Sequence, residues 1–408
     1  MKTNSEKDIL KYLFLIGIFI GPLFFWPWSA ISFEIPKVFF MNRWIEIFAF
    51  ASVTYLIFIR IQKEKVDSML ISLVLIFFLQ VITSSLLGVD FNKSLSGNYY
   101  RADGLITLAH LVILFLSVVL FYRENWLVST FKILAYSSIL LSLWTIINAV
   151  FAFIIHKPLM PAWDKAVGIN FGNPNFLAGY LIVSLPFTLY FYNKEPKIKH
   201  KQLILISLAV QFTAILLTRS WAGIFGILIF LLMNVVMKTS KNLLLTLTII
   251  LAFMGCLGLF ILNHKSIQTP GITIAEGRER IIKKAILAFQ KRLLFGWGWA
   301  NFDYAFESVD WPVKYEDDIY VDKAHSHFLE ILITTGIPGL VLYILIVLKT
   351  GFNLIIKSDG ILKYLFISLV LFVLHSQTNI ISISEEILFW LIVGVSAKDI
   401  SKTSNAVL

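Results

Sequence analysis

Charge is scarce in this chain. Only 15% of its 408 residues are Asp, Glu, Lys or Arg, against 58% hydrophobic. A water-soluble domain of that length would carry more apolar surface than one core can bury, which excludes an ordinary soluble fold. Cysteine is nearly absent. The single one, Cys256, sits inside an apolar run, so no intrachain disulfide framework exists and packing is its expected role. No HExxH pattern or cysteine cluster is present, and a zinc site is not expected. The short alternating segments of a transmembrane barrel are missing too. So are internal repeats and any Pro- or Ser-rich linker. The N-terminus has a basic start and an apolar stretch but no small-residue cleavage site, so it reads as a retained first helix.

What fills the sequence instead is a series of apolar runs of about 20 residues, the length that crosses roughly 30 Å of hydrocarbon. The expected fold is an all-α polytopic membrane protein with about twelve transmembrane helices. Their approximate positions are 9–31, 43–60, 68–87, 105–122, 129–155, 173–192, 203–218, 220–237, 243–263, 327–348, 361–380 and 385–397. The stretch 203–237 is too long for one crossing and is divided at Thr218–Ser220 as a tight hairpin. The whole chain, 1–408, reads as one integral membrane domain. A long extracytoplasmic loop, 264–326, lies between spans nine and ten and forms an external cap.

Orientation follows from basic residues in short loops. "RIQKEKVD" (60–67) and "NKEPKIKHK" (193–201) mark the cytoplasmic side, which leaves both termini cytoplasmic. The net charge of +10 is then chiefly a topology signal with some attraction to anionic membrane lipids, and no nucleic-acid partner is implied. The unusual sequence gathers on the outer face: 91–104, 156–172, the 218–220 hairpin and 264–326.

Several polar residues stand out against this background, because charge at membrane depth is costly and usually marks a pathway or a site. Arg219, in "LLLTRSWAGIFG", is flanked by apolar sequence and is either a snorkelling residue at a helix end or a phosphate ligand. Arg278 and Arg280 open "GRERIIKKAILAFQKRLLFGWG" (277–298), whose apolar residues recur near helical spacing. An amphipathic helix near the membrane surface is expected there, with an anion-favouring N-terminus. Lys283, Lys284, Lys291 and Arg292 continue its basic face and read as lipid-headgroup contacts. In "VGINFGNPNFLAGYL" (167–181), Asn173 suits a helix N-cap and Pro174 a first turn, and Asn173 and Asn175 also offer amides to a sugar. In "SGNYYRADGL" (96–105), Arg101 adds a cation to an outer cleft, beside tyrosines that are ordinary interface anchors.

"DKAHSHFLEILITTGIPG" (322–339) sets His325, His327 and Glu330 at the mouth of an apolar run. On a helix the two histidines would point about 200° apart, which is poor geometry for sharing a metal. Glu330, three residues on, is placed to pair with His327. His325, at the junction, is freer to face a cleft and accept a proton. Gly336 and Pro338 then signal a helix break.

Together and in this order, these motifs resemble the O-antigen ligase family and its relatives, the O-antigen polymerases and bacterial O-oligosaccharyltransferases. The resemblance rests on "GNYYRADGL", "GNPNFLAGYL", "LTRSWAGIFG", "GRERIIKKAI", "LLFGWGWANF" and "AHSHFLEILITTGIPGL", spanning roughly 36–340. It implies a GT-C-like glycosyltransferase of the plasma (inner) membrane. The implied reaction is an inverting, metal-independent transfer of a glycan from a polyprenyl-diphosphate carrier on the outer face, with no cofactor. It also implies that His325 activates the acceptor hydroxyl and Arg278 binds the diphosphate. Arg219 is a looser match, because relatives usually read Ser-Arg where this chain reads Arg219-Ser220. Ser326 stands where relatives have asparagine.

The expected activity is that of an O-antigen ligase. The acceptor remains open among lipid A-core, a growing glycan and a protein. The small extent of chain after Ala397 leans away from the protein-modifying relatives. A transporter or flippase is the alternative of a different class, disfavoured because the polar motifs crowd one face and no repeat divides the chain.

Overall fold

In a computed structural model the chain is described at residues 2–29, 31, 33–58, 65–156, 159–160, 162–163, 166–239, 277–311, 320–356 and 360–398. Its helices, numbered among those residues, are α1 (Lys2–Leu23), α2 (Glu34–Phe58), α3 (Ser68–Leu86), α4 (Phe91–Ser96), α5 (Leu105–Phe121), α6 (Glu124–Phe153), α7 (Pro174–Lys194), α8 (Ile198–Leu217) and α9 (Trp221–Thr239). After the undescribed stretch come α10 (Arg278–Gln290), α11 (Phe302–Glu307), α12 (His327–Ile356), α13 (Leu362–Ser376) and α14 (Ile383–Ser396). The expected span 243–263, Cys256 and the start of the long loop lie outside the described residues. Among the described residues, extended pairing is limited to a two-residue antiparallel pair, β1 (Ala162–Trp163) and β2 (Ala166–Val167), and an isolated bridge between Val66 and Lys398.

Among the described residues, five helices are long and apolar enough to cross a membrane: α3, α6, α7, α8 and α12. Shorter apolar segments occupy α1, α5, α9 and α13. Exposed residues on the outer helices fit a lipid environment: Ile9, Tyr12, Ile16 and Ile20 form one stripe along α1, and Met69, Ile76, Leu79 and Leu86 another along α3. The centre differs. Helices α7, α13 and α14 are buried almost all round, as expected of helices that are apolar on every side. α7 packs on α6, α8, α9 and α13, and α12 lies along α3.

Helix ends depart from the sequence expectation where local chemistry decides them. The first apolar run extends to 31 in sequence, but α1 stops at Leu23, one residue past Pro22. α2 begins at Glu34, nine residues before the apolar run suggests, because Glu34 and Lys37 are buried against other helices rather than solvated. The hairpin between α8 and α9 falls where expected. Thr218 ends α8, Arg219 takes a left-handed conformation (φ 55°), and the Ser220 hydroxyl accepts the Gly223 N–H.

The described part of the long loop forms a cap with its own apolar cluster. Ile281, Ala285 and Ala288 of α10 pack with Phe302, Ala305 and Phe306 of α11, and with Trp297 and Ile333. The helix expected within 277–298 is present, and protein covers its apolar face. The helix ends at Gln290. The supposed lipid-facing cations find protein partners as well. Lys284 is fully buried with its ammonium 3.8 Å from the centre of the Phe306 ring, a cation–π contact. Lys283 pairs with Glu279, Lys291 donates to the Ser308 carbonyl, and Arg292 donates to the Leu87 carbonyl.

The cap is fastened to the bundle at the break in α12. Gly336 has φ 73° and ψ −174°, which interrupts the helix and frees carbonyls. The segment 293–298 fills the gap. Trp297 and Gly298 donate N–H groups to the Ile333 and Thr334 carbonyls, and Ile337 N donates to the Leu293 carbonyl. From α3, Gln80 and Ser84 donate to the Thr335 carbonyl. The break is therefore satisfied on both sides, as buried backbone groups require.

Candidate active site

Where α12 begins, the chain makes a constrained turn. Glu330 reaches back one turn to accept the Ala324 N–H at 2.8 Å and to pair with Lys323 at 3.2 Å. Gln377, at the end of α13, accepts hydrogen bonds from the Ser326 hydroxyl and the Phe328 N–H. Residues 324 and 326 are thus held from opposite sides, and His325 between them adopts φ 53°. A non-glycine residue in that region is strained and is retained where surroundings over-determine it. The expected pairing of Glu330 with His327 does not form. The carboxylate is taken by Lys323 and a backbone N–H, while the His327 ring packs edge-on against Tyr343 at 5.0 Å.

The loop before α5 supplies the facing wall. The Asp103 carboxylate accepts the Asn98 N–H at 3.0 Å, which closes the turn, and the Asp103 carbonyl accepts the Trp299 indole N–H. Two ion pairs then join this loop to the strand of chain before α12: Arg101 to Asp322 at 2.7 Å and Lys323 to Asp103 at 2.5 Å. Burial works against ionising Lys323, but Asp103 and Glu330 outweigh it and hold its ammonium above the usual lysine range. Burial likewise opposes the Asp103 carboxylate, and Lys323 more than offsets it, so Asp103 stays ionised below the ordinary range.

These elements line an open-mouthed cavity. Its lining includes Glu34, Arg101, Asp103, Lys323, His325, His327, Asn379 and Glu386. Arg278, the first residue of α10, reaches its rim by donating to Asn379 Oδ1 at 3.4 Å. Burial first, and the positive charge of Arg278 second, pull the His325 imidazole down to about 4, with Asp322 opposing and Arg101 adding to the fall. His325 is therefore neutral across the physiological range, with a ring nitrogen free to accept a proton.

The sequence-selected residues divide accordingly. Arg101, His325 and His327 line the cavity, and Arg278 borders it. Arg280 turns away, donating to the Trp311 carbonyl at 3.0 Å and lying over the Phe306 ring. Arg219 sits exposed at the tip of the α8–α9 hairpin, outside the lining. Asn173 caps α7 by accepting the Asn175 N–H at 2.9 Å, and neither asparagine lines the cavity. Among the described residues, no group of three or more His, Cys, Asp or Glu is arranged to hold a metal ion.

Sequence reasoning passed over Glu34, Asn379 and Glu386, which enter the lining from α2, the α13–α14 turn and α14. It also passed over Asp322 and Lys323, although they stand directly before His325 in the quoted motif. The available signal was acidic residues at the ends of apolar runs, in "SFEIPK" and "SISEEILF".

No curated protein matches the chain. Residues 205–344 match the family model for O-antigen ligase. The resemblance read from the motifs is thereby borne out over the segment that carries Arg219, Arg278, Arg280, His325 and His327.

Proposed function

We propose, with the O-antigen ligase match as premise, that this protein transfers a glycan from a polyprenyl-diphosphate donor to a hydroxyl acceptor at the outer face of the plasma membrane. In this reading the chain spans the membrane twelve times with both termini cytoplasmic, and lipid A-core is the acceptor. The observation that carries the reading is the pairing at the cavity of His325, which lines it, with Arg278, which reaches its rim through Asn379, both within the matched segment.

The chemistry follows from that pairing. The acceptor oxygen attacks the anomeric carbon from the face opposite the leaving group, and the new C–O bond forms with inversion. The bond between the anomeric carbon and the phosphate oxygen breaks, and its electron pair leaves on the diphosphate. Arg278 holds that diphosphate, and a fixed cation in a poorly solvated site stabilises the charge as it develops. The hydroxyl proton passes to a His325 ring nitrogen. An arriving diphosphate offsets the charge of Arg278, which otherwise depresses the imidazole, so His325 becomes more basic once donor is bound. Arg101 is already paired with Asp322 and chiefly shapes the wall. No step needs a metal.

The test is transfer from a purified polyprenyl-diphosphate glycan, in chelator, to lipid A-core, to the glycan itself and to a protein. Wild type is compared with His325→Ala and Arg278→Ala. Transfer to lipid A-core, lost in both folded variants, is the expected result. Transfer to the glycan or the protein reassigns the acceptor. No transfer to any acceptor, with competent donor, defeats the reading in favour of transport.

A further inference from the structure

His325 stands just before α12 and Arg278 opens α10, so neither helix by itself sets one residue against the other. The turn between α13 and α14 touches the supports of both. Gln377 Oε1 accepts the Ser326 hydroxyl at 3.1 Å and the Phe328 N–H at 3.2 Å, on the C-terminal side of His325. Two residues further on, Asn379 Oδ1 accepts the Arg278 guanidinium at 3.4 Å. One short turn therefore holds the chain that carries the base and the side chain of the cation.

The donors fix which end of each amide is engaged. A backbone N–H and a guanidinium can only donate, so each faces an amide oxygen. The amide nitrogens are used too. Gln377 Nε2 donates to the Ser376 hydroxyl at 2.9 Å, and Asn379 Nδ2 donates to the Thr378 hydroxyl at 3.1 Å. That hydroxyl donates in turn to the His375 carbonyl at 3.1 Å. Thr378 and Asn379 are buried, and the turn continues α13, itself buried almost all round. The packed centre of the bundle carries it. His325 at φ 53° keeps that conformation while its neighbours over-determine it. Without Gln377, the Ser326 hydroxyl and the Phe328 N–H lose their acceptor, and only the Glu330 side of the turn remains. Both amides are uncharged, and among the described residues no carboxylate pairs with Arg278. Its guanidinium is oriented without being neutralised, which leaves its charge for an anion.

We propose that Gln377 and Asn379 are the positioning residues of the transfer site. Gln377 holds the backbone that carries His325, and Asn379 aims Arg278 at the diphosphate while leaving its charge intact. Their shared turn then sets the base and the cation at one spacing. This assignment rests on the transfer reading above. Each residue acts through another, and the effect is large because a displacement of about 1 Å between reacting groups costs on the order of 100-fold in rate.

The experiment uses the full chain in lipid nanodiscs. It measures kcat and donor KM for transfer, and separately the binding of polyprenyl diphosphate that carries no glycan. Gln377→Leu removes the acceptor at similar volume. It is expected to lower kcat about 100-fold with donor KM within about twofold, since the base moves and the cation does not. Gln377→Glu keeps an acceptor oxygen and is expected to recover at least about tenfold of that loss. Asn379→Asp keeps the shape and the bond to Arg278 but adds a charge that competes with the diphosphate. Binding of polyprenyl diphosphate is expected to weaken about tenfold in this variant. A folded Gln377→Leu with unchanged kcat, a Gln377→Glu no better than Gln377→Leu, or an Asn379→Asp that binds as wild type overturns the proposal. If Gln377→Leu does not fold, Ser326→Ala decides, because it removes one of the two bonds without touching α13. It is expected to lower kcat about tenfold, and an unchanged kcat overturns the Gln377 role. Failure of the transfer reading is seen on wild type alone, as no consumption of donor, and takes the positioning of His325 with it. The binding measurement needs no transfer and still decides Asn379.

Discussion

Arg101 Nε donates to Asp322 Oδ2 at 2.7 Å, joining the loop before α5 to the chain just before α12 across more than 200 residues of sequence. With Lys323 and Asp103 beside it, this pair fixes the wall against which His325 is held. Both side chains are mostly buried, so removing one partner strands the other charge.

Replacing Asp322 with Ala is therefore expected to destabilise the protein by about 2–4 kcal/mol. Arg101→Ala should cost a similar amount, since the two side chains are about equally buried. Denaturant unfolding in detergent measures both. A loss of less than about 1 kcal/mol in either variant would show that the pair does not hold the wall.

The protonation of His325 sets a limit on activity at low pH. Its folded value of about 4 predicts a kcat/KM that stays level down to about pH 5 and falls below it. Arg278 lowers the imidazole, so Arg278→Gln should move whatever residual acid limb remains toward higher pH. A pH–rate profile with that limb moved lower, or unmoved, contradicts the coupling.

Stability should carry the same signature. The folded value of His325 lies below its unfolded value near 6.5, so the unfolded chain binds more protons between the two. Its contribution is fully present above pH 6.5 and is lost as the pH falls toward 4. The loss amounts to on the order of 1–3 kcal/mol after allowing for partial exposure. His325→Gln should flatten unfolding free energy across that window. An unchanged slope would show the imidazole is not desolvated.

Gly336 joins the cap to the bundle. A methyl group there would lie 2.2 Å from the Leu294 carbonyl oxygen, on a backbone at φ 73°. Gly336→Ala is expected to cost about 3 kcal/mol or more, combining backbone strain with the clash. Limited proteolysis should then cut near Leu293–Gly298 faster than in wild type, and an unaltered rate would separate the break from cap docking.

Much of this protein was settled by the sequence itself. The scarcity of charge and the apolar runs require a membrane-spanning bundle, because no other environment satisfies so much apolar surface. The hairpin at Arg219, the Asn173 cap of α7 and the break at Gly336 were legible because each depends on a few adjacent residues. So was the neighbourhood of His325, through the ordered motifs. What the tertiary structure decided is which charges meet. Lys284 looks solvated by its basic neighbours and is buried on Phe306, since burial depends on α11 rather than on local pattern. Glu330 passes over His327 for Lys323 and the Ala324 N–H, because the turn before α12 folds back within reach. Arg280 points away from the cavity while Glu34 and Glu386 point into it, from helices far apart in sequence. Periodicity states which face of a helix is apolar. Only packing states which other helix lies against it, and with that the charge of the cavity between them.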